Sequence, residues 1–275
     1  MKYIITIPSY NRVDTLIKKT LNTLHHNKIN PKIIYIFVAN IKEYNLYKNK
    51  IPKNLYNKIV IGLKGLRNQR NFIRKYFNDG DKIIEMDDDV TKINELYIKK
   101  PNIGKKSHKI RNITNLNLFF VNAFKSLLKN NLTLFGVYPV NNPYFMSNNV
   151  TTDLRFIVGP MWGMINSHNK NKFLYIDEKE DVLRTLLHYK SDHGVLRYNN
   201  ISFNTAYYTE KGGMQSEGKD RKKEALKSAK LLIKKFPYYC KLYLGKKSGH
   251  PEVRLRDRTL KNKQKCTRTR KKLHT

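Results

Sequence analysis

Cysteine, acid and long apolar stretches are all scarce in this chain, and each shortage excludes something. Two cysteines, Cys240 and Cys266, are too few for a disulfide framework or a zinc site of their own, which points to a reducing compartment. No run of about 18 apolar residues occurs, so no membrane-spanning helix is expected. The opening strand-like run reaches Pro8 too soon to serve as a secretory signal. A soluble, intracellular protein that is not secreted is therefore expected. No internal repeat is seen, and no linker long enough to demand a second domain. Acids number 21 against 55 Lys and Arg in 275 residues, leaving a net charge of +34. A surface this basic attracts DNA, RNA or acidic membranes. The same chain is also rich in Asn, Ile and Tyr, which share A/T-rich codons with Lys. Genome bias is thus a second source of the charge, and composition does not decide between the two.

Against that scarcity of acid, Asp87, Asp88 and Asp89 stand side by side after the apolar run 82–86. Adjacent carboxylates repel one another unless positive charge sits among them, and a divalent cation or a basic cluster would serve.

The hydrophobic fraction, 40%, suits a folded core. Residues 3–8 read as a buried strand that stops at a proline. Apolar spacing from Val13 to His26 predicts an amphipathic helix, and 32–38 a second buried strand. Strand, helix, strand implies a right-handed βαβ unit and a parallel sheet. A short strand at 59–61 and a basic helix over 66–77 follow, then the strand that carries the aspartates. Residues 99–111 read as an exposed loop. Further on, the pattern predicts a helix at 115–129, a strand at 133–138, one or two strands within 155–165, a helix at 180–189, a strand at 201–209 and a Lys-rich helix at 220–235. Trp162 reads as core. The expected architecture is a single α/β domain with a mostly parallel central sheet and helices on both faces. In such sheets ligands bind beyond the carboxyl ends of the strands, where residues 8–12, 39–40 and 87–89 would converge.

These residues resemble the GT-A glycosyltransferases, in the manner of their family 2. Pro8, Ser9, Tyr10, Asn11 and Arg12 are similar to the segment that lies against the nucleotide of a sugar-nucleotide donor. Leu66 to Asn71 resembles the Arg-Asn helix start near the donor, Asp87 to Asp89 the Asp-x-Asp motif, and Glu180 with Asp181 the Glu-Asp pair holding the catalytic base of inverting members. The resemblance covers about residues 1–189. It implies a Rossmann-like GT-A domain over 1–245, with a donor half at 1–98 and an acceptor half at 99–245, followed by a basic extension at 246–275. It implies Mn²⁺ or Mg²⁺ held by Asp89 and Asp87, with a histidine, His250 or its rival His193, as a further ligand. Arg12, Arg67 and Arg70 would pair with phosphate, a guanidinium fork being suited to it. Asn71 would approach the donor, and Asn40 stands where the family often has an acid for the base or ribose, with Glu43 close enough to substitute. Asp88 is expected to point away from its neighbours, as strand alternation requires, and to make a loop salt bridge. Asp181 is the expected base, ahead of Glu180 and Asp177, although acids at a helix start also serve its dipole. Gly212 and Gly213 read as a flexible loop or a plain hairpin turn.

The acceptor is the open part. The charge and the lack of an anchor resemble the DNA-modifying glycosyltransferases of phages and large viruses that accompany base hydroxylases. A hydroxymethylated base in DNA is then the expected acceptor. A protein or glycan acceptor, and a non-catalytic nucleic-acid-binding protein that has kept the fold, are the alternatives.

Overall fold

The computed structural model describes residues 1–99, 107–205, 220–245 and 249–259. Strand β1 (Ile4–Pro8) leads into a helical stretch made of α1 (Val13–Leu16), a π-helical turn (Ile17–Leu21) and α2 (Asn22–His26). Then come β2 (Ile34–Val38), α3 (Ile41–Lys50), β3 (Lys58–Ile61), α4 (Leu66–Tyr76) and β4 (Lys82–Met86). Beyond the aspartates lie β5 (Val90–Lys99), β6 (Ser107–Asn112), α5 (Leu116–Lys129), β7 (Leu134–Val137), β8 (Val150–Thr151) and β9 (Met161–Ile165). The chain continues through α6 (Glu180–Asp192), β10 (Leu196–Tyr198), β11 (Ile201–Thr205), α7 (Arg221–Lys235), β12 (Cys240–Tyr243) and β13 (Glu252–Leu255).

Eight strands form one sheet in the order β3-β2-β1-β4-β9-β7-β10-β8. The first four are mutually parallel, β9 is inserted antiparallel between β4 and β7, and β10 again runs parallel to β7. The sheet is thus mostly parallel, with β8 and β9 reversed. Its two faces follow from period-2 alternation in strands with no polar side. Ile34, Ile36 and Val38 of β2 pack with Leu16, Leu24, Tyr47 and Phe120 under α1, α2, α3 and α5. Phe37, between them, faces Ile73 of α4 in a second core that also holds Leu186 of α6 and Leu232 of α7. Helices therefore cover both faces.

Several expectations are corrected. The 99–111 loop is in part a strand, β6, paired with β5 and, through β5, with β11 in a separate three-stranded sheet. The one strand within 155–165, Met161–Ile165, follows Gly159 and Pro160 and agrees with expectation. The helix α3 and the strands β10, β12 and β13 were not expected. The supposed extension begins as structure, because β13 pairs with β12, Val253 enters the second core, and the Tyr189 hydroxyl donates to Asp257. Gly212, Gly213 and the terminal basic segment lie outside the described residues. Among the described residues no helix is long and apolar enough to cross a membrane.

The far end of α6 is anchored by a buried polar network. Asp192 accepts from Lys172 Nζ at 2.8 Å and from the Thr133 hydroxyl, while His188 bridges Thr133 and Arg74. Burial pushes the His188 imidazole down to about 3, so the ring is neutral at ordinary pH. This anchoring fixes the helix whose first turn carries Glu180 and Asp181.

Candidate active site

The carboxyl edge of the parallel strands gathers residues 9–12, 87–89 and the start of α6. The triplet backbone is stapled from the π-helical turn: the Thr20 hydroxyl donates to the Asp87 carbonyl at 2.7 Å and accepts from the Val90 N–H at 3.0 Å. A π-turn shifts the helix register locally, and such turns are frequent at functional sites. On the other side the Asp87 N–H donates to the Pro160 carbonyl at 3.0 Å.

The three aspartates diverge. Asp88 turns toward β1, where its Oδ2 accepts from Ser9 Oγ at 2.6 Å and Arg12 Nη1 lies 3.4 Å from Oδ1. Burial pushes this carboxyl up to about 7, against the pull of Ser9 and Arg12. Asp89 accepts from the Thr205 hydroxyl, and Arg12 Nη1 stands 3.9 Å from its Oδ2. Asp87 faces α4, with its Oδ1 3.0 Å from Arg70 Nη2. Its acidity is weakened by withdrawal from water first, with Asp89 and Glu180 adding repulsion against the attraction of Arg70. Asp87 has the most open side chain of the three, 29% exposed against 7% for Asp88 and 12% for Asp89. Arg12 and Arg70 thus supply positive charge among the aspartates. The strand ends at Met86 and residues 88–89 form a turn, so strand alternation does not set the direction of Asp88. Ser9 and Arg12 bind it into the loop, which speaks against a place for it among the nucleotide-binding residues.

Behind Asp87 lies a buried ionic cluster. Arg70 Nε is 2.8 Å from Glu85 Oε1, a close ion pair without hydrogen-bond alignment, and Nη1 donates to Glu180. Glu180 in turn accepts from Arg184 Nη1 at 3.1 Å, and the Arg184 guanidinium lies 3.9 Å from the centre of the Trp162 ring. Burial drives Glu85 up to about 7 even though Arg70 and Arg184 favour its ionised form. Two assignments change here. Arg70 is 3% exposed and enclosed by three carboxylates and the Gly159 carbonyl, so it is not a phosphate ligand. Glu180, with both oxygens on arginines, is a positioning residue and not a base.

Asp181 has the opposite surroundings. It is half-buried, its Oδ1 accepts from the Val182 N–H at 2.8 Å, and burial followed by repulsion from Glu180 pushes its carboxyl up to about 6. A carboxylate that is ionised at neutral pH yet more basic than usual suits proton abstraction.

The remaining residues divide similarly. Asn11 adopts a left-handed conformation (φ 54°), and its N–H donates to Glu43 at 2.9 Å; the Arg12 N–H and Ser9 Oγ both meet the Tyr47 hydroxyl. The loop after Pro8 is thereby held by α3. Tyr10 is half-buried, with Lys64 Nζ 5.3 Å from its ring centre. Asn40 caps α3 by accepting from the Glu43 N–H, and the buried Glu43 is committed to Asn11, so neither is placed as a ribose acid. Asn71 pairs both ways with the Leu174 backbone and is a scaffold contact. Arg67 is half-buried, its Nε 3.3 Å from the exposed Asp177 and its Nη1 donating to the Tyr175 carbonyl at 3.4 Å.

Among the described residues no group of three His, Cys, Asp or Glu is drawn together to hold a metal ion, so His250 is not joined to Asp87 and Asp89. His193 closes α6 in a left-handed conformation. Mg²⁺ and Mn²⁺ are hard cations that often take only one or two protein oxygens, so a site at Asp87 or Asp89 would not need a third protein ligand. Glu85, Thr20, Tyr47 and Arg184 were missed as site residues. Glu85 left a signal, an acid inside an apolar strand, which demands a buried partner.

Arg70→Met is expected to lower stability by about 3–5 kcal/mol, because it strands Glu85 and Glu180 as buried, uncompensated carboxylates. Urea unfolding reads this as a lower midpoint at unchanged slope. Adding Glu85→Gln should recover part of the loss, and a single variant as stable as the parent would refute the account.

No protein-family model matches the chain, and no curated protein matches it in sequence.

Proposed function

We propose that this chain is a metal-dependent, inverting glycosyltransferase of the GT-A type, moving a sugar from a nucleotide-sugar, with UDP as the nucleotide, to the hydroxyl of a hydroxymethylated base in DNA. The observation that carries this reading is the division of labour at one sheet edge. Two carboxylates of differing exposure lie at this edge, Asp89 beside Arg12 of the loop after Pro8 and Asp87 beside Arg70, and a separate half-buried carboxylate of raised pKa, Asp181, opens the neighbouring helix.

In this reading the loop after Pro8, braced by Glu43 and Tyr47, lies against the nucleotide, and Arg67 turns from Asp177 to a donor phosphate. A divalent cation held by Asp87 and Asp89 would neutralise charge on the diphosphate. The acceptor hydroxyl gives its proton to the Asp181 carboxylate as its oxygen bonds to the anomeric carbon. The bond from that carbon to the diphosphate oxygen breaks on the opposite face, and the electron pair leaves with the diphosphate. Glu180, fixed between Arg70 and Arg184, sets the position of the helix start. The net charge of +34 favours a polyanionic acceptor.

The test offers labelled sugar nucleotides with Mn²⁺ to the protein, alongside DNA containing hydroxymethylated pyrimidine and a protein extract. Label on the DNA alone is expected. Label on protein alone would move the acceptor, and no label together with no donor hydrolysis would sink the enzyme reading.

A further inference from the structure

The loop that follows β7 leaves the sheet at the same carboxyl edge as the aspartates, since β7 runs parallel to the strands of the first half. It carries two adjacent aromatic side chains directed into solvent. Tyr144 is 82% and Phe145 57% exposed, and their rings meet edge to face with centroids 5.0 Å apart. Single exposed apolar residues are ordinary on a protein surface. This pair differs because the loop beneath it is held by polar groups that have been withdrawn from water for the purpose.

Asn141 Nδ2 donates to Asn204 Oδ1 at 2.7 Å, and Asn94 Nδ2 donates to the same oxygen at 2.7 Å. The Ser202 hydroxyl donates to Asn141 Oδ1, also at 2.7 Å. Asn94 and Ser202 are buried. The tip is closed by Asn142, whose side-chain oxygen accepts from the Tyr144 N–H and whose carbonyl accepts from the Phe145 N–H. Buried Met146 fixes the far side. The platform is also tied to the acidic centre, since Thr205, the residue after Asn204, donates its hydroxyl to Asp89. Lys92, opposite Asn204 in the β5–β11 ladder, adds exposed positive charge at its border.

We propose that Tyr144 and Phe145 form a stacking platform for unpaired bases of a DNA strand, beside the acidic centre. Exposed aromatic rings on a hydrogen-bonded loop of a strongly basic protein suit bases whose phosphates are drawn to the protein's charge. The assignment deepens the glycosyltransferase reading and rests on it for its meaning, since a base to be modified must leave its duplex. The binding it asserts is measurable without turnover.

Fluorescence anisotropy of a labelled single-stranded oligonucleotide is compared for the parent and for the double variant Tyr144→Ala, Phe145→Ala. About tenfold or greater loss of affinity is expected. The slope of affinity against salt should not change, because no phosphate contact is removed. Heparin, a polyanion without bases, should bind both proteins equally, and Tyr144→Phe should retain the parent's affinity. Unchanged DNA affinity in the double variant, or an equal loss on heparin, would overturn the proposal. Donor hydrolysis is followed in parallel. Its absence from both proteins would count against the enzyme reading, while the tenfold loss on DNA alone would still uphold the platform.

Discussion

Asp89→Asn is expected to remove sugar-nucleotide hydrolysis and transfer together while leaving the fold and nucleic-acid affinity in place. Asparagine keeps the shape of the side chain and an oxygen able to accept from the Thr205 hydroxyl, so the local hydrogen bond survives. What goes is one negative charge from the pair of carboxylates proposed to hold a divalent cation. Charge stabilisation of the leaving diphosphate is worth several kcal/mol, and a loss of about 4 kcal/mol lowers the rate about a thousandfold. Nucleic-acid affinity should stay the same or rise, because a carboxylate beside Arg12 has been neutralised. Thermal melting and anisotropy against DNA check the two invariances, and a labelled donor checks the loss. A variant that still hydrolyses the donor at the parent rate would remove Asp89 from the metal site. Parallel loss of melting temperature and DNA binding would make it a structural residue.

The parts of this arrangement that local pattern specifies were legible in the chain. An apolar run ending in proline, a helix at 3.6 periodicity and a second apolar run describe β1, α1 to α2 and β2 because each element's burial is written in its own spacing. The triplet's place at a strand end followed for the same reason. Other features have no local signature. Helix α3 buries little beyond Tyr47 and Glu43, so its periodicity is faint, yet it braces the loop after Pro8 through side-chain contacts more than 30 residues apart in sequence. Strand β9 comes from residues 161–165 and enters between β4 and β7 against the parallel pattern, a choice made by tertiary packing around Trp162. Arg70 shows the gap most clearly. On a chain with 55 basic residues it read as one of several phosphate-facing arginines. Its partners come from two separate segments, Glu85 and Asp87 at the end of β4 and Glu180 at the start of α6, and only the closed fold brings them round one guanidinium.

That same cluster makes the role of Asp181 separable from that of Glu180. Asp181→Asn should lower kcat by about 10²- to 10⁴-fold, the usual contribution of a positioned general base, with the KM for the donor little changed if the residue acts on the acceptor as proposed. The pH profile is the sharper readout. The active form is the carboxylate, and burial with repulsion from Glu180 holds its pKa near 6. Activity of the parent should therefore rise with pH, about tenfold per unit below 6, and level off above it. The asparagine variant has no proton to lose at that position, so its residual activity should be flat across the same window. Glu180→Gln should behave otherwise, because Glu180 is already engaged by Arg70 and Arg184. Its removal loosens a buried ion cluster, so stability falls, while whatever activity remains keeps an acid limb, moved below pH 6 because the repulsion from Glu180 is gone. If Asp181→Asn retained that limb and Glu180→Gln lost it, the two acids would exchange roles.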